Sequence, residues 1–188
     1  MLNNNCRLFA ILLFITRLFF NTGALAQNHC PNLSGIHYLT DTAANFDQLV
    51  HQFKNKIVYV DMWATWCHPC RQELQKTKNV KAFEKFATEN NIVILYICCD
   101  DDDKKWKSFI SANKLNGYHI LINKHMEQDF HTTYGEWQNR KGSIKKSLYL
   151  PRHLIIDKNR SVADSSAREQ GNPLVYAKLK KLLKDSAK

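Results

Sequence analysis

The chain has 188 residues, 44% of them hydrophobic, with 27 lysines and arginines against 17 aspartates and glutamates, a net charge of +10. That length suits one domain plus processing segments, because single cores usually serve about 100 to 200 residues, and two cores would be crowded. The lysines are spread along the chain and nothing resembles a nucleic-acid motif, so the charge reads as a solvated surface and nucleic acid is excluded as a partner.

At the N-terminus Arg7 precedes "LFAILLFI", the apolar character runs to Phe20, and "GALA" places small residues at Ala24 and Ala26. This pattern predicts a secretory signal over residues 1–26, followed by a short lead-in over 27–35 and one domain over 36–188. The stretch from Leu8 to Phe20 is 13 residues long and interrupted by Arg17, whereas a spanning helix needs about 20 apolar residues, which makes a retained anchor the weaker reading. Losing Arg7 and Arg17 lowers the net charge from +10 to +8.

"IHYLT" suits a short strand, and Phe46, Leu49, Val50 and Phe53 recur at the three- and four-residue spacing of a helix. "IVYVDMW", Ile57 to Trp63, is β-branched and aromatic, a strand buried on both faces, and only Asp61 breaks it. Pro69 suits the first turn of a helix beginning at Cys67, whose stripe of Leu74, Val80, Phe83, Phe86 and Ala87 continues to "ENN". "IVILYICC" repeats the buried-strand pattern, and the acidic run Asp100–Asp103 opens a helix with Trp106, Phe109 and Ile110 on one side.

Strand, helix, strand, helix implies a parallel β-α-β unit. "YHILI" follows as a short strand, and then "KHMEQDFHTTYG" as a short helix ending at Gly135. Residues 136–147, with Arg140, Lys141, Lys145 and Lys146, show no clear period and read as a basic loop. After Pro151, "HLIID" and "RSVAD" suggest a hairpin turning tightly at "KN". Val175, Leu179, Leu182 and Leu183 mark a final amphipathic helix.

The chemistry concentrates in "WATWCHPC", Trp63 to Cys70. A sulfur at a helix start meets unpaired N–H groups and the positive end of the helix dipole, which stabilise the attacking thiolate. Cys67 would attack first; Cys70, one turn further in and more buried, would resolve the mixed disulfide. A protonated His68 would add positive charge beside the thiolate, and Pro69 would stiffen the turn.

Asp61, six residues upstream on an apolar strand, should have its pKa raised by burial, fitting it to exchange a proton with Cys70. Its other reading is a strand-end carboxylate that reaches water or caps backbone. Glu73 is either a second proton relay or a favourable charge near the helix start.

Five cysteines remain after the signal, Cys30, Cys67, Cys70, Cys98 and Cys99, so at least one is unpaired or intermolecular. Cys98 and Cys99 are adjacent, point to opposite faces of a strand, and make a poor second half of a zinc site. The acidic run lacks the spaced ligands of a calcium loop.

"VDMWATWCHPC", with Pro151 before "HLIID", resembles the thioredoxin superfamily. The signal-like N-terminus, "WCHPCRQEL" and the segment between the two central β-α units resemble, more closely, the envelope TlpA/ResA-type thiol-disulfide oxidoreductases, over roughly residues 36–185. The resemblance implies an α/β thioredoxin fold, a central mixed β-sheet flanked by α-helices, with an N-terminal extension.

It further implies Cys67 as nucleophile, Cys70 as resolving thiol, Asp61 as the buried carboxylate and Glu73 as the acidic residue beyond the motif. Trp66, His68 and Pro69 would flank the substrate, and Leu150–Pro151 would be a cis-proline element whose backbone pairs with an extended client. Two features depart from the pattern: Leu74–Gln75 stand where relatives often carry proline, and residues 136–147 are long.

The expected protein is therefore an exported periplasmic or envelope monomer without cofactor or metal. It would exchange Cys67–Cys70 with protein thiol clients, as a reductase kept reduced by a membrane electron donor. The alternatives are oxidase or isomerase action, and a copper-binding module drawing on His68, His125, His131 or His153.

Overall fold

Period-two patterning in two fully buried strands organises the molecule. The computed structural model describes residues 33–39, 43, 45–140 and 143–185, so the predicted signal segment and Cys30 lie outside the described residues. In chain order the elements are β1 (Ile36–Tyr38), α1 (Phe46–His51), β2 (Val58–Trp63), α2 (His68–Leu74), α3 (Thr77–Glu89), β3 (Val93–Cys98) and α4 (Asp103–Asn113). There follow β4 (Gly117–Leu121), α5 (Lys124–Tyr134), β5 (Glu136–Arg140), β6 (Ser143–Ser147), β7 (Arg152–Ile156), β8 (Val162–Asp164) and α6 (Pro173–Asp185).

Six strands form a mixed sheet in the order β1-β4-β3-β2-β7-β8. The first four run parallel, while β7 is antiparallel to β2 and β8 to β7. Successive side chains of a strand point to opposite faces. Tyr59, Trp63, Ile94, Tyr96 and Cys98 accordingly pack with Leu74 of α2, Phe83 of α3, Ile110 of α4 and Leu179 of α6. Val58, Val60, Met62, Val93, Leu95 and Ile97 pack with Leu49 of α1 and Phe130 of α5. Each large apolar side chain so buried contributes about 1.5–3 kcal/mol.

The expected mixed sheet between helices is present, with three local corrections. The helix read as continuous from Cys67 to "ENN" is two, because Lys76, at φ −72° and ψ 67°, leaves helical geometry. Gly171, in the loop before α6, packs against α3, where a Cβ on it would sit 2.6 Å from that of Asn79.

Residues 136–147 are a separate two-stranded hairpin, β5 against β6 from Glu136↔Ser147 to Arg140↔Ser143, and not a loop. The pairing is made by the backbone, so the mostly polar sequence carried no hydrophobic alternation to reveal it. The turn between β7 and β8 spans residues 157–161, longer than "KN" alone, because the Asp157 carboxylate accepts from the N–H groups of Asn159 and Ser161.

Candidate active site

The site forms where β2 ends. Cys67 is the N-cap of α2, with extended backbone (φ −79°, ψ 100°), and its sulfur accepts from the Cys70 N–H at 3.3 Å. One helical turn brings the two sulfurs together as a disulfide, with Cα atoms 5.3 Å apart. Cys70 is the more enclosed of the pair, although both are buried. Trp66, 67% exposed, stands beside them, and His68 and Pro69 are also on the surface.

The loop before Cys67 is fixed from β3. The Asp100 carboxylate accepts from the Thr65 N–H at 2.9 Å and from the Cys98 thiol at 3.2 Å. The acidic run thus has divided duties: Asp100 is buried beneath the cysteine loop, whereas Asp102 caps α4 by accepting from the N–H groups of Lys104 and Lys105. Sequence reasoning assigned all four aspartates to the helix start and missed the first.

Asp61 is buried on β2, on the face that carries Tyr59 and Trp63. Burial, opposed by nearby His153, raises its pKa from 3.8 to about 6. The Gln170 amide donates to Asp61 Oδ2 at 3.1 Å and also meets the Tyr96 hydroxyl, 3.0 Å away.

Across the sheet, β7 pairs His153 with Asp61. The imidazole Nε2 lies 3.7 Å from Asp61 Oδ1 and 3.3 Å from Glu73 Oε2. Burial opposes the charged imidazole, but the two carboxylates outweigh it, so the His153 pKa is raised. Glu73, whose side chain is 25% exposed, is the next-to-last residue of α2 and not in its first turn, so the reading as a helix-start charge does not hold; its carboxylate instead faces the same histidine as Asp61. That histidine was read only as a candidate copper ligand, and Gln170 not at all. His153 has a weak sequence signal, two residues beyond Pro151 on a strand; Gln170, in a loop 109 residues from Asp61, has none.

The Leu150–Pro151 peptide bond is cis, as the resemblance implied. Continuing the β2–β7 register past Met62↔Arg152 puts Pro151 beside the end of β2, where the chain departs for the cysteines. Arg152 anchors this segment: its guanidinium donates to the carbonyls of Tyr134 and Ser165 and pairs with Glu136.

Cys98 and Cys99 are free thiols, and burial is the first cause that raises both pKa values, that of Cys99 to about 12. Among the described residues, no group of three or more His, Cys, Asp or Glu is placed to hold a metal ion. His125 and His131 belong to α5, on the sheet face opposite the cysteine helix. Among the described residues, no helix is long and apolar enough to cross a membrane.

A sheet of this order, whose central parallel strand delivers a disulfide-forming pair to a helix start, defines the thioredoxin-like oxidoreductases as a class. Within it the chain belongs to the Redoxin family, whose model matches residues 26–181. The thioredoxin-superfamily reading, TlpA/ResA-like, agrees with that family.

Among solved structures, the chain is similar to the thioredoxin domain of a thiol-disulfide oxidoreductase from Bacteroides vulgatus, at 20% identity and a TM-score of 0.55, over 71% of this chain and 84% of that one. A thiol:disulfide interchange protein of the thioredoxin family from Chlorobium tepidum is 17% identical, with a TM-score of 0.54 over 71% and 84% of the two chains. A secreted thiol-disulfide isomerase from Corynebacterium glutamicum is 18% identical, with a TM-score of 0.51 over 74% and 75%. At these identities the likeness speaks for the fold. No curated protein matches the chain.

Proposed function

We propose that the protein is an envelope thiol-disulfide oxidoreductase that exchanges the Cys67–Cys70 dithiol with protein clients, acting as a reductase. The observation that carries this reading is Cys67 at the start of α2, within disulfide reach of Cys70, with the buried Asp61 on the strand that delivers them.

In the reducing direction the Cys67 thiolate attacks a client disulfide, and one client sulfur leaves with the electron pair. Cys70 gives its proton to Asp61 and attacks the Cys67 sulfur. The Cys67–Cys70 bond forms, the Cys67–client bond breaks, and the second client sulfur leaves. The client gains two electrons and the dithiol loses two.

Trp66, His68 and Pro69 are exposed next to Cys67 and offer a docking surface, while Leu150–Pro151 offers backbone for strand-like pairing with the client. The signal-like segment supports export to the periplasm or envelope, where a membrane donor would return the pair to its reduced state.

The test is a glutathione redox titration of the chain beginning at Gln27, with Cys67→Ser and Cys70→Ser controls. A two-electron couple is expected in wild type and in neither variant, and Cys70→Ser should accumulate a mixed disulfide on Cys67. A potential near the strongly oxidising end, about −120 mV, would reverse the assigned direction. Absence of the couple, together with stoichiometric copper or zinc, would refute the exchange reading.

A further inference from the structure

Resting on that exchange reading, we propose that His153 is a positioning residue for the cysteine couple: its Nε2, shared between Asp61 and Glu73, holds the buried Asp61 carboxylate ionised as the acceptor of the Cys70 proton.

The geometry comes from three elements. β2 supplies Asp61, β7 supplies His153 directly opposite it in the sheet, and α2 supplies Glu73. His153 is buried, its ring stacks on Tyr59 at 5.8 Å between centroids with an interplanar angle of 19°, and its Nε2 faces oxygens of both carboxylates. Nε2 is buried without a well-formed hydrogen bond, so both carboxylates act on it as charges, at 3.7 and 3.3 Å.

The other ionisable groups acting on this cluster are the Tyr59 hydroxyl of β2, the Tyr96 hydroxyl of β3 and Glu169 before α6. Both tyrosines have pKa values well above 10 and stay neutral through the working range, and Tyr59 donates to the Arg168 carbonyl at 3.0 Å. Glu169 adds negative charge near His153 and favours its cationic form. His153 is therefore the cation that acts on Asp61, and Gln170 adds one neutral hydrogen bond.

A buried carboxylate without that cation would hold its proton to higher pH and could not take another from Cys70. Glu73 reaches solvent at one edge and Nε2 at the other, so it keeps the imidazole charged without itself being enclosed.

The test is the pH dependence of disulfide closure. The reduced chain beginning at Gln27 is mixed with oxidised glutathione between pH 4.5 and 9, and the resolving step is followed in wild type, His153→Gln, His153→Phe and Asp61→Asn. The inflection lost in Asp61→Asn identifies the Asp61 step.

In both His153 variants that inflection should rise by about one unit or more, the effect of removing an opposite charge at this range. For a one-unit rise, closure should then slow by about fivefold at pH 6 and by about tenfold below pH 5. Superimposable wild-type and variant profiles would overturn the proposal. Should both variants fail to fold, NMR titration of the wild type decides: His153 and Asp61 should share the same two macroscopic pKa values, and independent titration would overturn it. A wild type with no two-electron couple would instead sink the exchange reading, which separates the two failures.

Discussion

At the scale of single residues, Asp61 shows how one polar side chain in an apolar strand changes both stability and chemistry. Burial raises its pKa from 3.8 to about 6 against the pull of His153, so the native state binds its proton more readily than the unfolded chain does. The associated stability is whole below about pH 4 and is lost as the pH rises through about 6. Asp61→Asn should therefore be more stable than wild type at pH 8, by at most about 3 kcal/mol, and should show no gain near pH 3.5. Urea denaturation at the two pH values measures this; an equal effect at both would show that Asp61 is not the titrating group. The gain should be accompanied by slower disulfide closure, stability and activity being set against each other at one carboxylate.

At the scale of elements, the cysteine loop depends on a residue from a different strand. Asp100, at the end of β3, gives a carboxylate oxygen to the Thr65 N–H and the Cys98 thiol. Asp100→Ala removes the acceptor and leaves a partly buried N–H and a buried thiol unpaired, costing about 1–3 kcal/mol. Asp100→Asn keeps a carbonyl oxygen there and should cost less. Thermal melts of the two variants check the order; equal losses would show that the charge, and not the acceptor, holds the loop.

The same scale explains which sequence readings held and which did not. The cap at Cys67 and the stripe of α3 were legible because Pro69 and the spacing of Val80, Phe83 and Ala87 are local signals. The break at Lys76 and the β5–β6 hairpin were not legible, because one is a change in the backbone torsions of a single lysine and the other is made by backbone pairing.

At the scale of the whole molecule, the central strands β2 and β3 are buried throughout and flanked by strands on both sides, whereas β1 and β8 are three-residue edges. Opening the centre requires separating both helix layers, so its amides should exchange only by global unfolding, and those of the edges by local fraying. Native-state hydrogen exchange should give the slowest rates at Tyr59–Met62 and Ile94–Ile97 and faster ones at Ile36–Tyr38 and Val162–Asp164. Equal protection at centre and edge would contradict this account.

The sequence by itself determined the class of chemistry: two cysteines at a helix start after a buried strand, with a lone carboxylate on that strand, are all neighbours along the chain. Their local periodicity also sends Asp61 and the cysteine helix to the same side of the sheet. Tertiary structure alone decided what surrounds that carboxylate. His153 and Gln170 reach it from one antiparallel strand and one loop, and Tyr96 of the neighbouring parallel strand meets Gln170, at separations in sequence that no local pattern encodes. Register brings them together, and register is set by the packing of whole faces, a sum over many side chains and not a property of any single motif.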